Sequence, residues 1–190
     1  MEKKNIYDAI IIGGGASGLM CAITAKKHDR SKKIAIIEKN DRLGKKIFIT
    51  GKGRCNITNA SDIQNHFANI MRNSKFLYSA YNNFSYEDIC NMIESAGVKT
   101  KIERGNRVFP ESDKSSDVIW ALSKIMKDVG VNVHLNKNVT DVLSDASGVI
   151  VKCFDGKDFM GDKCIIATGG LSYPSTGSTG DGYKFAKNMG

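Results

Sequence analysis

The stretch "YDAIIIGGGASGLMCAITAKKH", residues 7–28, limits what this chain can fold into more than any other. Its first part is a β-branched run of the kind that forms a strand buried on both faces, and "SGLMCAITAKKH" then places apolar residues at helical spacing. Asp8 and the triplet Gly13, Gly14 and Gly15 argue against a single membrane-spanning or secretory segment after "MEKKN". Each glycine would cost such a helix about 1 kcal/mol relative to alanine. The stretch therefore reads as strand, turn and helix. "KIAIIEK" repeats the buried-strand pattern, so the whole is a βαβ unit whose right-handed crossover makes the two strands parallel neighbours.

The rest of the chain is consistent with one α/β domain over residues 1–190. Residues 61–110 are expected to leave the sheet as a helical excursion. It would hold helices in "KFLYSAYNNF" and "YEDICNMIESAG", the second opened by Ser85 with Asp88 three residues on and closed near Gly97. "VKTKIE", the turn "RGN" and "RVFP" lead back, and Ser116 is expected to cap "DVIWALSKIMKDVG", which ends at Gly130. "VNVHLN" reads as a third parallel strand. Residues 138–161 alternate and are punctuated by "ASG" and "DGK", the pattern of a small antiparallel β-meander, after which "DKCIIATGG" reads as a separate buried strand.

Composition narrows the partners without choosing one. With 41% hydrophobic and 25% charged residues, the chain has the make-up of a globular protein. The formal charge of +8 suits nucleic acid, an anionic membrane or a phosphorylated small ligand. The lysines (Lys26, Lys27, Lys32, Lys33, Lys45, Lys46) are scattered, so they read as solvated surface, and neither nucleic acid nor membrane is expected as a partner. The five cysteines form an odd, widely spaced set with no C-x-x-C, so neither a zinc knuckle nor a disulfide framework follows; the set argues against a paired-cysteine redox centre within these residues and fits a reducing cytoplasm. His28, His66 and His134 show no metal-ligand spacing, and no metal is expected.

The chemistry sits at the glycines. Gly13-Gly14-Gly15-Ala16-Ser17-Gly18 satisfies G-x-G-x-x-G between strand and helix. Gly13 permits the tight turn, Gly15 lets a pyrophosphate approach N–H groups at the positive helix end, and Gly18 allows close packing of helix and strand. Glu38 ends the second strand twenty residues after Gly18, where a carboxylate can accept both hydroxyls of an adenosine ribose and repel a 2′-phosphate. "FITGKGRCNITN" follows, and with Gly44 and Lys45 it offers Gly51, Gly53 and Arg54 to the same ligand: glycines as close N–H donors, arginine as a bidentate phosphate partner. Cys55, beside Arg54, reads as a small pocket-lining residue in preference to a catalytic thiol, since no partner cysteine or histidine is evident. "ATGG", residues 167–170, ends a strand at the sheet's carboxyl edge, and Asp181 in "STGSTGDGY" is placed to help cap a last helix.

"GGGASGLM", "EKNDRLGKK", "TGKGRCNITN", "NRVFPESDKSSDV" and "ATGGLSYPSTGSTGDGY" together resemble the BaiN/YhiN-like NAD(P)/FAD-dependent oxidoreductases, a branch of the glutathione-reductase-like flavoproteins. The resemblance covers nearly the whole chain in order. It implies a Rossmann-like FAD-binding domain, with Gly13, Gly15, Ser17 and Gly18 at the pyrophosphate and Glu38 and Lys39 at the ribose. It also implies that Gly51, Gly53, Arg54, Cys55, Asn56, Thr168 and Gly169 approach the flavin side, and that Val139 offers backbone bonds to adenine. NAD(P)H is the implied reductant and a small organic molecule the implied substrate. No acid or base is identifiable. Members of that family are roughly twice as long, so a distal substrate domain, a C-terminal return segment and the fifth strand of a 3-2-1-4-5 sheet are expected to be missing from this sequence. The expected activity is hydride transfer through FAD; a binding module without catalysis is the alternative.

Overall fold

The computed structural model describes residues 6–189. In chain order the elements are β1 (Ile6–Ile12), α1 (Ala16–His28), β2 (Ile34–Ile37), α2 (Lys45–Ile49), β3 (Thr58–Asn59), α3 (Ile63–Ala68), α4 (Tyr78–Asn83) and α5 (Tyr86–Ser95). They continue with β4 (Thr100–Glu103), β5 (Arg107–Pro110), α6 (Ser115–Val129), β6 (Asn132–His134), β7 (Val139–Asp145), β8 (Gly148–Cys153), β9 (Phe159–Ile166) and α7 (Asp181–Asn188). They fall into two compact units, one made of the described residues up to Ile47 and from Ser123 onward, the other of Phe48–Leu122.

The first unit is built on a six-stranded sheet of order β6-β2-β1-β9-β8-β7. β6, β2, β1 and β9 run parallel, which is the 3-2-1-4 portion of a Rossmann-like sheet. β8 and β7 add an antiparallel edge. All four residues of β2 are buried, as are Ile10, Ile11 and Ile12 of β1, which explains why the sequence shows continuous apolar runs there instead of alternation. Leu19, Ala22 and Ile23 bury one face of α1. Each large side chain so enclosed contributes about 1.5–3 kcal/mol.

Two expectations are corrected here. The strand expected to begin at "DKCII" and the last meander strand are one element: β9 pairs with β8 through Phe159, Met160 and Gly161 and with β1 from Met160 to Ile166. Gly161 ends the expected meander, but it lies within β9 as a close-approach position, since a Cβ there would lie 2.8 Å from the Tyr7 carbonyl oxygen. Ser116 is also not the cap of α6, because the helix already includes Ser115, whose hydroxyl donates to the Phe48 carbonyl at 2.8 Å. The far end is as expected, with Gly130 left-handed at φ +81°.

In the second unit β3, β5 and β4 form a small antiparallel sheet, β4 and β5 joined by the left-handed pair Gly105 and Asn106. The Ser85–Asp88 capping box opens α5, whose Met92 and Ile93 are buried. The single helix expected in "KFLYSAYNNF" is instead a 3-10 turn, Ser74–Leu77, entered through left-handed Asn73 and followed by α4. The excursion expected over residues 61–110 falls inside this unit. No helix among the described residues is long and apolar enough to cross a membrane.

Candidate functional site

In the first unit the strand order reverses at β1, with β2 on one side and β9 on the other, and the residues that follow these three strands share the carboxyl edge of the sheet. That edge is where open α/β sheets receive ligands. Each glycine of the β1–α1 turn has its own reason. Gly13, at φ +109°, lies so close to the end of β9 that a Cβ would come within 2.4 Å of the Ala167 oxygen, and at Gly18 a Cβ would be 1.9 Å from the Gly13 oxygen. At Gly15 a Cβ would meet nothing within 4 Å. Gly15 is the N-cap of the thirteen-residue α1, which has no side-chain cap and no acidic residue in its first turn. The first N–H groups of that helix therefore face open space with the positive end of the helix dipole behind them. Ala16 and Ser17 are exposed there.

Glu38 extends β2 by one residue, its N–H bonded to the His134 carbonyl at 2.9 Å. Its side chain is only 7% exposed. One carboxylate oxygen accepts the Gly14 N–H at 2.6 Å, and the other accepts the Asn40 backbone N–H at 2.8 Å and the Asn40 side-chain amide at 2.7 Å. A carboxylate has about four acceptor positions. The Gly14-bonded oxygen thus keeps one for a hydroxyl, and the sequence-based expectation that Glu38 meets both ribose hydroxyls holds only if the Asn40 amide yields. Gly44, left-handed at φ +66°, donates to the Gly14 carbonyl at 2.8 Å and ties the next loop to the glycine turn.

Around this centre lies a polar set that sequence reasoning only partly found. Lys39 donates to Thr179 Oγ1 and to Asp181 Oδ2, both at 2.7 Å. Lys45 reaches Asn40 Oδ1 at 3.2 Å, and Lys46 donates to the Ser172 carbonyl at 2.8 Å and to Ser178 Oγ at 2.7 Å. Asn40, Lys46 and Ser178 escape a sequence reading because an asparagine, a surface lysine and a serine carry no motif; the run of small polar residues in "STGSTGD" was the available signal. Asp181 is the first residue of α7, and it accepts from Lys39 and Thr179. Burial raises its carboxyl, but those two bonds together with the charges of Lys39 and Lys184 outweigh the rise and hold it below the usual carboxylate range. Val139 is buried at the head of β7, and the Thr168-Gly169 turn follows β9, with Gly169 left-handed at φ +75°. His134 is a packing residue: its Nε2 lies 3.0 Å from the Tyr7 hydroxyl, its ring sits against Phe159, and burial followed by Lys157 and Lys137 pushes it down from its ordinary value.

In the second unit the segment "TGKGRC" winds through four left-handed residues, Gly51, Lys52, Gly53 and Cys55. Gly51 is required, because a Cβ would lie 2.9 Å from the Asn56 nitrogen and 3.1 Å from the Phe109 ring. Asn56 itself is exposed. The Arg54 guanidinium, which the sequence offers to a phosphate, is engaged by this unit's own groups. It bonds Asp113 Oδ1 at 2.8 Å through Nε, pairs with Glu103, and stacks 4.2 Å over the Phe109 ring. Lys101 bonds the same Asp113 at 2.8 Å. Cys55 is buried, and burial pushes its thiol up against the opposing bond from Thr50, the opposite of the shift that activates a cysteine nucleophile. Among the described residues no group of His, Cys, Asp and Glu could hold a metal ion.

Residues 7–190 match the HI0933-like protein Rossmann domain. A 3-dehydro-bile acid delta(4,6)-reductase of Clostridium scindens is 35% identical over 95% of this chain, and a ribosomal RNA dihydrouridine synthase of Escherichia coli is 30% identical over 97%. The chain spans 43% and 44% of the length of these two relatives. Among solved structures, the 3-ketosteroid-delta4-(5alpha)-dehydrogenase from Rhodococcus jostii RHA1 superposes with a TM-score of 0.65 at 14% identity, covering 91% of this chain and 48% of that one. A flavocytochrome c3 fumarate reductase gives 0.62 at 20% identity, covering 99% and 41%. These two likenesses show the fold. The domain match and the bile-acid relative together show the family: the chain belongs to the HI0933-like Rossmann-domain family, the BaiN/YhiN-like oxidoreductases.

Proposed function

We propose that this chain is the FAD-binding part of a flavin-dependent oxidoreductase. One observation carries the reading: at the point where the strand order reverses, an uncapped thirteen-residue helix presents its first N–H groups to open space beside a buried, oriented carboxylate. The residues fit the cofactor. The N–H groups behind Gly15, with Ser17, take the two pyrophosphate charges, and a side chain at Gly15 would fill the space they need. Glu38 takes an adenosine ribose hydroxyl on its remaining acceptor position, Gly44 and Lys45 border the diphosphate, and the backbone at Val139 serves the adenine. The Thr168-Gly169 turn lies toward the flavin. Bound FAD would supply hydride chemistry, for which NAD(P)H is the proposed reductant. The chain's own groups bind and orient, and none of them is assigned as acid or base.

The names of the two curated relatives support an unsaturated ring as substrate, one being a reductase and the other making dihydrouridine. A small organic molecule is the first reading. The Escherichia coli relative and the net charge of +8 favour a second, in which the ring is a base within RNA. The test is the visible spectrum of the purified full chain and its thermal stabilisation by FAD, followed by anaerobic titration with NADH and NADPH in the presence of an enone or of an RNA fragment. A colourless protein that FAD does not stabilise refutes the proposal. FAD binding without oxidation of either nicotinamide leaves the non-catalytic module.

A further inference from the structure

β1 lies between β2 and β9, and the chain that leaves β9 returns to touch the residues after β2, so it crosses the carboxyl end of β1. Its contacts trace that path. Ser178 sits against Gly169, where a Cβ would come within 2.6 Å of its hydroxyl. The Thr176 carbonyl accepts the Asn40 amide at 3.2 Å, while Lys46 holds Ser172 and Ser178, and Lys39 holds Thr179 and Asp181.

How the segment is held matters more than where it runs. The side chains buried between Gly170 and Asp181 are polar, Thr176 at 9% exposure and Ser178 at 6%, whereas Leu171 and Tyr173 point outward at 67% and 65%. It is fastened by hydrogen bonds and one ion pair and not by apolar burial, the condition under which a segment opens without the rest of the fold. Left-handed glycines stand at either end, Gly169 at φ +75° and Gly180 at φ +82°.

We propose that residues 171–181 form a strap over the dinucleotide crevice, latched to the Lys39–Lys46 segment through Asp181 and Ser178, and that opening the latch limits how fast FAD leaves. The inference rests on the FAD reading above. Lys39 lies next to the ribose carboxylate and would disturb binding directly, so the latch is tested from its other side. Asp181→Asn removes the charge while keeping a group able to accept at the start of α7. The strap predicts FAD release faster by roughly fivefold to tenfold, the difference between a charge-assisted bond and the neutral one that asparagine keeps, with association nearly unchanged. Asp181→Glu restores slow release. Added salt speeds release from the parent more than from Asp181→Asn, because the parent alone has this ion pair to screen in addition to the charges on FAD itself.

Release rates that are equal in parent and Asp181→Asn, or equally salt-sensitive in both, overturn the strap while leaving FAD binding intact. A parent that does not retain FAD overturns the underlying reading instead. Should Asp181→Asn fail to fold, hydrogen exchange on the parent decides. Amides of residues 171–180 exchanging well before those of β1, and slowing when FAD is added, support the strap; amides as protected as those of β1 refute it.

Discussion

Gly15 and Gly18 stand three residues apart, at the N-cap and in the first turn of α1, and the structure gives alanine opposite consequences at the two. Gly15 has φ −82°, which alanine adopts without strain, and a Cβ there touches nothing within 4 Å. Glycine caps a helix better than alanine, but alanine also restricts the unfolded chain, and the two effects nearly cancel to within about 0.5 kcal/mol. At about 2–4 °C per kcal/mol for a chain of this size, Gly15→Ala should leave the melting temperature of the FAD-free protein within roughly 2 °C of the parent. The new methyl, ~1.5 Å from Cα, occupies the space from which a diphosphate reaches the helix N–H groups. Losing one or two hydrogen bonds to a charged group, about 1.5–3 kcal/mol each, weakens FAD by roughly two orders of magnitude. Gly18→Ala behaves differently. Its Cβ would lie 1.9 Å from the Gly13 oxygen, so α1 must move off β1 by about 1 Å, at a cost of about 1–3 kcal/mol before any ligand is added. Thermal unfolding of both apo variants, followed by fluorescence titration with FAD, separates the effects. The reasoning fails if Gly15→Ala binds FAD as well as the parent, or if it melts as early as Gly18→Ala.

Glu38→Ala strands one buried donor, the Gly14 N–H, and two half-buried ones from Asn40, and should lower the apo melting temperature by roughly 5–10 °C in a fluorescence melt. Below the ordinary carboxylate range the second unit should loosen. Lys101 and then Arg54 hold Asp113 below its usual value, and Arg54 does so first for Glu103, so the stability they lend is complete above the unfolded values near 4 and is lost as pH falls through the depressed ones. Asp113→Asn should flatten the melting profile between pH 6 and pH 3. Burial, ahead of smaller charge effects at Cys153, pushes the Cys153 and Cys164 thiols up to about 11, so maleimide at pH 7.5 should label them only after denaturant is added; rapid native labelling, read by mass spectrometry, would contradict their placement.

The first βαβ unit was legible because everything that fixes it is local: a strand-length apolar run, glycines where backbone must approach backbone, and an acidic residue at the next strand end. What stayed hidden depends on partners far along the chain. Gly161 looks like the end of a strand until β1 is seen lying against it, and Arg54 looks like a free cation until Glu103 and Asp113 are placed beside it. α2 and α3 are five and six residues long, too short for a helical period to show. Asn40 is the most instructive omission. Its importance comes from a carboxylate only two residues away, yet nothing in "EKND" says that the side chain turns back to it and reaches the Thr176 carbonyl as well.

The pairing of β1 with β9 joins Ile6–Ile12 to a strand more than a hundred residues downstream. On the ribosome, β1 and β2 emerge before β9 as bare runs of isoleucine, and one flank of β1 has no permanent neighbour until Phe159–Ile166 has been translated and has left the exit tunnel. So late a central pairing leaves those runs exposed for longer during synthesis, and slowing translation ahead of "DKCII" should raise the fraction that aggregates.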